Sequence, residues 1–534
     1  MNLRLTWVQP EDLLGHELRQ AAEDGRDARA VAARWTEAGG PPAPESAGAS
    51  GTSRPGLRAL AEELMDALAA LPSPLSAAEP TSLPGIRALT APRTTPPPAH
   101  PTGQTPTPAD ADEATPRTTP PPAHPTGRTP TPADADEATP RTTPPPAHPT
   151  GQTPADADEA TPRTTPPPAH PTGRTPTAAD GDTALRDRLH AAWLGRAAGC
   201  LLGKPVEKLP LHAVRALARA TGNWPLSTWY TARGVPPDLL AAHPWNRRSA
   251  PTSLAENIDG MPEDDDLNYP LLNLLLLRRH GRGFTTADVA RLWLDELPAG
   301  RTFTAERVAY RNLLDGIEPP LTALRRNPFR EWIGAQIRAD VHGWTRPGDP
   351  AAAAEQAYRD AALTHTANGV YGAMFVAATL ATAATGTADV HRSLAGGLAV
   401  IPPRSRLARA VRRGIALARD TRDFDAVVDR LHTELGGYHW VHAVPNAALL
   451  AAALTHADGD FTRSIGAAVS GGWDTDSNGA TAGSVAGLLA GHPDRLPEHW
   501  TAPLKNRLAT SVPSFDGIGF DTLAELTHLE AVRP

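Results

Sequence analysis

Residues 261–277 read MPEDDDLNYPLLNLLLL, and this stretch decides the fold because four consecutive carboxylates, Glu263 to Asp266, stand directly before an apolar run. The run from Leu271 to Leu277 has to enter a hydrophobic core, so it brings the acidic cluster to the edge of that core. Crowded carboxylates repel one another there, and desolvation raises the cost of their charges. A bound cation is the simplest way to relieve this repulsion.

A second acidic pair has the same layout. Asp474 and Asp476 lie in SGGWDTDSNGATAGSVAGLLAG, ahead of a helical stretch made largely of small residues. We expect the two acidic clusters, although far apart in sequence, to meet around metal.

Composition narrows the class of protein. The chain has 534 residues, a net charge of -8 and a single cysteine. The negative charge argues against nucleic acid as a partner, and one cysteine excludes an internal disulfide. The N-terminal sequence lacks the pattern of a signal peptide, and the longest apolar stretch, Val370 to Ala384, is shorter than the ~20 residues of a membrane span. We therefore expect a cytoplasmic protein without a membrane partner.

The chain divides into three predicted parts. Residues 1–90 form a short helical N-terminal accessory segment, with amphipathic periods over 1–39 and 57–71. Residues 91–182 repeat the unit RTTPPPAHPTGQTPTPADADEATP from Arg93 onward. This region has almost no large apolar residues and cannot offset the entropy of ordering, so we predict a disordered, proline-rich spacer. A ligand for a proline-recognition module is the less favoured alternative.

Residues 183–534 form the predicted globular domain, which is the catalytic domain if the family resemblance given below holds. Helical periodicity dominates this region, and we find no convincing alternating strand, which predicts an all-α domain with functional loops. The predicted helices cover 185–203, 271–280, 286–296, 351–363, 369–384, 406–419, 424–435, 446–456, 461–468 and 479–489.

Two of these helices carry glycine at every fourth position. One has Gly195, Gly199 and Gly203, and the other has glycine at 479, 483, 487 and 491. Each helical glycine costs roughly 1 kcal/mol relative to alanine, so a whole stripe predicts that another backbone comes close. Both helices are expected at the centre of a tight bundle.

Four motifs together carry a family resemblance. GRAAGCLLGKPVE, PEDDDLNYPLL, THTANGVYGAMFVAA and SGGWDTDSNGATAGSVAG, in this order, resemble the ADP-ribosylglycohydrolase family over about residues 184–525. The resemblance implies a compact, orthogonal all-α bundle with two magnesium ions in a central cleft, Mn²⁺ being an alternative. It also implies a hydrolase that removes ADP-ribose from modified protein side chains or from small ADP-ribosyl compounds.

The resemblance also assigns a metal site residue by residue. It implies that the metal ligands are Glu263, Asp264, Asp265, Asp474, Asp476 and Ser477. Glu263 stands where the family has a ligating threonine, and Cys200 stands where it commonly has aspartate. The ligand set consists of oxygen donors, which suits Mg²⁺ or Mn²⁺.

The same comparison gives the expected chemistry. Two ions about 3.5–4 Å apart could hold the ribose hydroxyls and orient a water at the anomeric carbon. Glu207, Glu263 or Asp264 could take the proton of that water, and the sequence leaves all three open.

Two further motifs supply the expected substrate contacts. The resemblance and the residue types implicate His365, Asn368, Gly369 and Tyr371, with the Asn-Gly pair facing the pyrophosphate. Trp440 could stack on adenine, although packing is an equally good interpretation. Two alternatives to the hydrolase remain: a catalytically silent member that binds ADP-ribose or inhibits a partner, and a hydrolase of another ribosyl or nucleoside-like substrate.

Overall fold

The computed structural model describes residues 9–44, 54–91 and 178–533, with side chains of the last stretch described from residue 181. Across these residues every regular element is helical, and β pairing is limited to three isolated bridges. The predicted all-α class is confirmed. The proline-rich repeats lie outside the described residues, so the spacer and the domain boundaries stay predictions.

The helices fall into an N-terminal group and a larger main group. The N-terminal helices are α1 (Pro10–Glu23), α2 (Arg29–Glu37), α3 (Arg58–Ala69) and α4 (Leu83–Thr90). The main group begins with α5 (Ala178–Gly203), α6 (Leu211–Ala220), α7 (Pro237–Ala242), α8 (Ala250–Ser253), α9 (Asp265–His280), α10 (Thr286–Glu296), α11 (Thr304–Leu314), α12 (Leu321–Leu324) and α13 (Asp340–Trp344). It continues with α14 (Pro350–Ala361), α15 (Ala367–Ala383), α16 (Val390–Ala399), α17 (Arg406–Asp420), α18 (Phe424–Leu435), α19 (Ala443–Ala457), α20 (Phe461–Ser470), α21 (Thr475–Ala490), α22 (Glu498–Thr501) and α23 (Phe520–Val532).

The glycine-striped helices α5 and α21 pack backbone against backbone. A Cβ placed on Gly199 would lie 1.9 Å from the carbonyl oxygen of Gly479, and one on Gly483 would lie 1.9 Å from that of Gly195. Only glycine allows this approach, so the prediction from the stripe is confirmed. At one end of the contact, the Thr475 hydroxyl donates to the Gly203 carbonyl at 2.9 Å. The end of α5 therefore lies against the start of α21.

Two further helices are buried almost all round. In α15 and α19, alanine, glycine, leucine and valine fill most positions, and nearly all side chains are shielded from solvent. The apolar stretch over 370–384 is thus a core helix, as its length indicated. Among the residues that the structure describes, no helix is both long enough and apolar enough to cross a membrane.

The N-terminal helices pack on one another and on the main group. Leu13, Leu64 and Trp35 are buried. Asp66 of α3 pairs with Arg326 at 2.8 Å, and Glu17 of α1 pairs with Arg330 at 2.8 Å. The segment is therefore docked through both apolar and ionic contacts.

Candidate metal centre

The first acidic stretch caps a helix. Asp264 is the N-cap residue of α9, and its carboxylate accepts a hydrogen bond from the backbone N–H of Asp266 at 2.9 Å. Carboxylates are favoured at this position because the first turn of a helix leaves N–H groups unpaired and carries a partial positive charge. The buried leucines of α9 follow directly and fix the cap at the edge of the core.

A buried lysine lies on this cap. The Lys204 ammonium, just after α5, contacts the Asp264 carboxylate, and both side chains are less than 10% exposed. Burial, the largest single effect, would lower the pKa of Lys204, but the charge and hydrogen bond of Asp264 together with other nearby acidic groups raise it. Burial would likewise raise the pKa of Asp264, but the charge and hydrogen bond of Lys204, together with hydrogen bonds from the Asp266 backbone and Cys200, lower it. The two groups therefore form a charged internal pair.

Asp266 has a second internal cation. Arg196 of α5 lies 3.3 Å from the Asp266 carboxylate and 2.9 Å from that of Asp340. The Ser477 hydroxyl donates to Asp266 Oδ2 at 3.3 Å, which joins α9 to the start of α21. Burial, followed by the charge of Asp264, raises the pKa of Asp266 well above its usual value.

The second acidic stretch begins α21. The backbone N–H of Asp474 donates to the amide oxygen of Asn446 at 3.2 Å, and Asn478 donates to the same oxygen at 2.7 Å. Burial, then the charges of Glu207 and Asp264, raises the pKa of Asp476 to about 7. Asp264 can act on Asp476 in this way only because the two acidic stretches share one buried site.

Three carboxylates of the site are not in direct contact with a cationic side chain among the described residues. Burial raises the pKa values of Asp265 and Asp474 well above the usual range, and neighbouring carboxylates raise them further. Within the described part of the chain, Asp265, Asp474 and Asp476 form no ion pair with arginine or lysine. Excess negative charge of this kind, held on oxygen atoms, suits a divalent hard cation.

Cys200 lies beside the acids. Its sulfur and carboxylate oxygens of Asp264 and Asp266 all lie within 4.8 Å of one another, a spacing that could hold a metal ion. Burial, then the nearby aspartates, raises the pKa of the Cys200 thiol well above its usual value. A neutral thiol is a poor ligand for Mg²⁺ or Mn²⁺, so the oxygen atoms are the better donors.

Two of the expected catalytic carboxylates make other contacts. Glu207 follows α5, accepts from Asn246 at 2.7 Å and pairs with Lys208 at 2.8 Å. It also raises the pKa values of the α21 acids, so it lies close to the unpaired carboxylates. Glu263 accepts from Ser511 at 2.6 Å and pairs with Arg301 at 3.0 Å. Its role as a metal ligand stays a prediction.

The expected substrate-binding residues lie near one another on and before α15. His365 is fully buried, with Nδ1 2.6 Å from the Thr364 hydroxyl, and burial lowers its pKa well below its usual value. A Cβ on Gly369 would lie 2.5 Å from the carbonyl oxygen of Arg330. The Asn368 amide and the Tyr371 hydroxyl both contact the N-terminal segment.

Trp440 lies in the loop before α19. Its carbonyl oxygen accepts from Asn446 at 2.8 Å, and its ring is half-buried. The neighbouring His439 ring, and not that of Trp440, stacks on Trp332, with centroids 4.3 Å apart. Trp440 is thus hydrogen-bonded to Asn446, the residue that accepts the backbone hydrogen bond of Asp474.

The sequence prediction left out several residues that shape the site. Lys204, Arg196 and Asn446 each contact an acid of the cluster or the backbone that carries one, and Asp266 was not chosen as a ligand. A usable signal existed for Arg196, because it precedes Cys200 by one helical turn and therefore shares its face. No local pattern marked Lys204, whose partner lies 60 residues away.

Comparison with known proteins gives the family. No curated protein matches the chain. A solved structure described as an "ADP-ribosylglycohydrolase-related protein complex" is 21% identical, with a TM-score of 0.39, over 65% of this chain and 98% of that chain. The family model for ADP-ribosylglycohydrolase matches residues 181–532, which is more than half of the sequence. The chain therefore belongs to the ADP-ribosylglycohydrolase family.

Proposed function

We propose that this protein is a magnesium-dependent hydrolase of ADP-ribosyl glycosidic bonds, acting on modified protein side chains or small ADP-ribosyl compounds. Family membership supports a glycohydrolase-type function, and the family is metal-dependent. The observation that carries the proposal is the meeting of two acidic stretches in one buried site, joined by the hydrogen bond from Ser477 to Asp266, where Asp265, Asp474 and Asp476 form no direct ion pair with arginine or lysine among the described residues.

The residues present fit divalent ions. Asp265, Asp474 and Asp476 would be the principal ligands, with the hydroxyl of Ser477 and the carboxylate of Asp264 beside them. Two Mg²⁺ ions are proposed, with Mn²⁺ as a substitute, because all these donors are oxygen atoms. When bound, metal would polarise the ribose hydroxyls and lower the pKa of a coordinated water.

Glu207 is the best candidate for the group that accepts the proton of the attacking water. Asp264 is tied to the buried Lys204, and Glu263 is held by Ser511 and Arg301. Glu207 pairs with a more exposed lysine and acts directly on the unpaired acids. A general base has to lie close to the reacting water and must be able to accept a proton from it.

The reaction itself breaks one glycosidic bond. Water adds its oxygen to the anomeric carbon of ribose, and the acceptor leaves with the bonding pair and takes up a proton. Positive charge develops on the sugar in the oxocarbenium-like transition state, and the buried carboxylates stabilise that charge electrostatically.

The test is turnover of ADP-ribosylated arginine and serine peptides, measured with Mg²⁺ and with EDTA. The wild-type chain should release ADP-ribose only with metal, and Asp476→Asn should abolish both the release and most of the metal binding seen by calorimetry. Asp494→Asn is the matched control, because that carboxylate is 89% exposed and remote from the cluster. Release that persists unchanged in EDTA would reject the proposal.

A catalytically silent binding protein is the second candidate. The observation that favours it is the Lys204 ammonium, which already neutralises one expected ligand. Such a protein would bind ADP-ribose in calorimetry and release none from any of the peptides. Turnover by the wild-type chain would eliminate this candidate.

A further inference from the structure

The loop between α3 and α4, residues 70–82, inserts one carboxylate into a pocket of hydrogen-bond donors. Glu79 Oε1 accepts from the backbone N–H of Arg406 at 2.6 Å, and Oε2 accepts from its guanidinium at 2.7 Å. Asn368 donates to Oε2 at 2.9 Å. Glu331 shares Arg406 and Asn368 at 2.8 and 3.0 Å. Glu79 is buried and shares the Arg406 guanidinium with the carboxylates of Glu331 and Asp24.

The same loop covers the start of α15. The Tyr371 hydroxyl donates to the carbonyl oxygen of Pro80 at 2.5 Å. The backbone N–H of Ala367 donates to the Thr81 hydroxyl at 3.3 Å. Three consecutive loop residues therefore contact the stretch whose sequence predicts substrate binding.

Beside the face that the loop covers, α1 covers aromatic rings and a guanidinium group. Phe329 and Trp332 are tilted against each other, with centroids 4.5 Å apart, and His16 of α1 lies edge-on to both. Arg330, between them in sequence, pairs with Glu17 and Asp24 of the N-terminal segment at 2.8 Å each. The Arg330 guanidinium therefore lies beside buried rings that α1, and not the loop, covers.

This face adjoins the candidate metal centre. Glu23, the last residue of α1, lies 3.3 Å from Nε2 of His442. The carbonyl oxygen of His442 accepts from Asn446 at 2.9 Å, and Asn446 in turn accepts from the backbone N–H of Asp474. The N-terminal segment is therefore linked to Asp474, a predicted metal ligand, through two residues in contact, His442 and Asn446.

Stability alone does not account for so many buried charges at this contact. The segment already buries Leu13, Leu14 and Leu64. Buried ion pairs cost desolvation, and apolar residues of similar size often serve stability as well or better. The segment nonetheless places Glu17, Asp24 and Glu79 on two arginines of the main group.

We propose that the loop over residues 70–82 is an intramolecular occupant of an anion-binding pocket, with Glu79 in the place of a substrate phosphate group. The pocket and its occupant rest on the geometry, whereas the identity of the ligand as an ADP-ribosyl compound rests on the proposed function. The docked loop and the ligand exclude each other. The apparent affinity for the ligand is therefore lower than the intrinsic affinity, because only molecules with an undocked loop can bind the ligand.

Calorimetric titration of the full chain with ADP tests the pocket. Glu79→Ala, and independently Glu79→Gln, should bind ADP about tenfold more tightly or better than wild type, because the competing carboxylate is gone. Adding Arg406→Ala to Glu79→Ala should remove that gain. Asp66→Ala is the matched control, because it removes another carboxylate of the segment that pairs with an arginine of the main group, away from the pocket. It should leave ADP affinity unchanged.

The inference is overturned if both Glu79 variants melt like wild type and bind ADP no more tightly, including the case in which neither binds. Hydrogen exchange gives a second readout, since ADP should increase exchange in residues 70–82 of the wild-type chain. Binding of ADP without that increase also overturns it.

The outcome is separable from that of the proposed function. Tighter ADP binding by Glu79→Ala without release of ADP-ribose from any peptide would reject the hydrolase and keep the pocket. Metal-dependent release with no effect of Glu79 on ADP affinity would reject the occupied pocket and keep the hydrolase.

Discussion

Gly199→Ala tests whether the contact between α5 and α21 organises the molecule. The added Cβ would lie 1.9 Å from the carbonyl oxygen of Gly479, and its next neighbours are also backbone atoms. A carbon–oxygen contact needs about 3.3 Å, so the two helices would have to separate by about 1.4 Å. No side chain can move aside to absorb this shift.

The expected loss can be estimated from these distances. Overpacking costs typically about 1–3 kcal/mol and more where the neighbours are rigid, while alanine returns about 1 kcal/mol of helix propensity. We expect Gly199→Ala to lower the free energy of unfolding by about 2 kcal/mol or more. Gly181→Ala is the matched control in the same helix, because a Cβ there meets nothing within 4 Å. It should be neutral or stabilise by up to about 1 kcal/mol.

Urea unfolding followed by circular dichroism measures both variants. The reasoning fails if Gly199→Ala unfolds at the same urea concentration as wild type with an unchanged slope.

The contact also aligns the end of α5 with the start of α21, where a Cβ on Gly203 would lie 2.4 Å from the backbone nitrogen of Asp476. Calorimetry should therefore show weaker Mn²⁺ binding by Gly203→Ala, and unchanged binding would separate the helix contact from the site.

Three other perturbations address charge and organisation. Lys204→Met removes the cation from Asp264 and should tighten Mn²⁺ binding about tenfold or more in calorimetry, whereas weaker binding would show that the ammonium supports the site. Asp476 holds its proton up to a pKa of about 7 in the folded chain but only to about 4 when unfolded, so the metal-free melting temperature should fall as pH rises from 4 to 7. Asp476→Asn should flatten that fall, and an unchanged pH profile would contradict the assignment. Deleting residues 92–177 should leave the rate of ADP-ribose release unchanged, and a large loss would give the repeats a role beyond spacing.

Helix bounds were predicted best where recognisable capping residues stand at the start of the helix. The predicted bounds of α10 and α18 agree with the structure, because Thr285 and Asp288 form a capping box and Asp423 caps α18. Several helices were missed, among them α6, α11, α16 and α23. The amphipathic pattern of α6 and the Asp389 cap of α16 were usable signals that the prediction overlooked, whereas α23 lacks a capping side chain and depends on tertiary packing.

Both helices of the candidate site begin earlier than predicted. The structure starts α9 at Asp265, six residues before the predicted Leu271, with Pro270 inside the helix. It starts α21 at Thr475, four residues before Gly479. The acids therefore lie in first helical turns, where backbone N–H groups and the helix dipole favour negative charge. Reading proline and glycine as boundaries concealed this arrangement.

Long-range partners set the limit for the rest of the site. The sequence indicated that two acidic stretches would meet, because each precedes a stretch that must be buried. It gave no sign that Lys204 would neutralise Asp264, and although Arg196 shares a helix face with Cys200, nothing local showed that its partner would be Asp266, because these partners lie 60 and 70 residues apart along the chain. Nor did it show that the N-terminal segment would cover Asn368, since segment and site are separated by the whole repeat region.

The glycine contact and the unpaired acids form one physical unit. Because backbone packs on backbone between α5 and α21, the start of α21 cannot move away from Lys204 and Glu207 at the end of α5. Asp476 is consequently held buried and near other carboxylates, and burial followed by this repulsion raises its pKa. A looser helix pair would let these charges separate and would make the metal-free protein more tolerant of high pH. It would also weaken the attraction for a divalent ion, so the rigidity that destabilises the empty site is what gives the site its affinity.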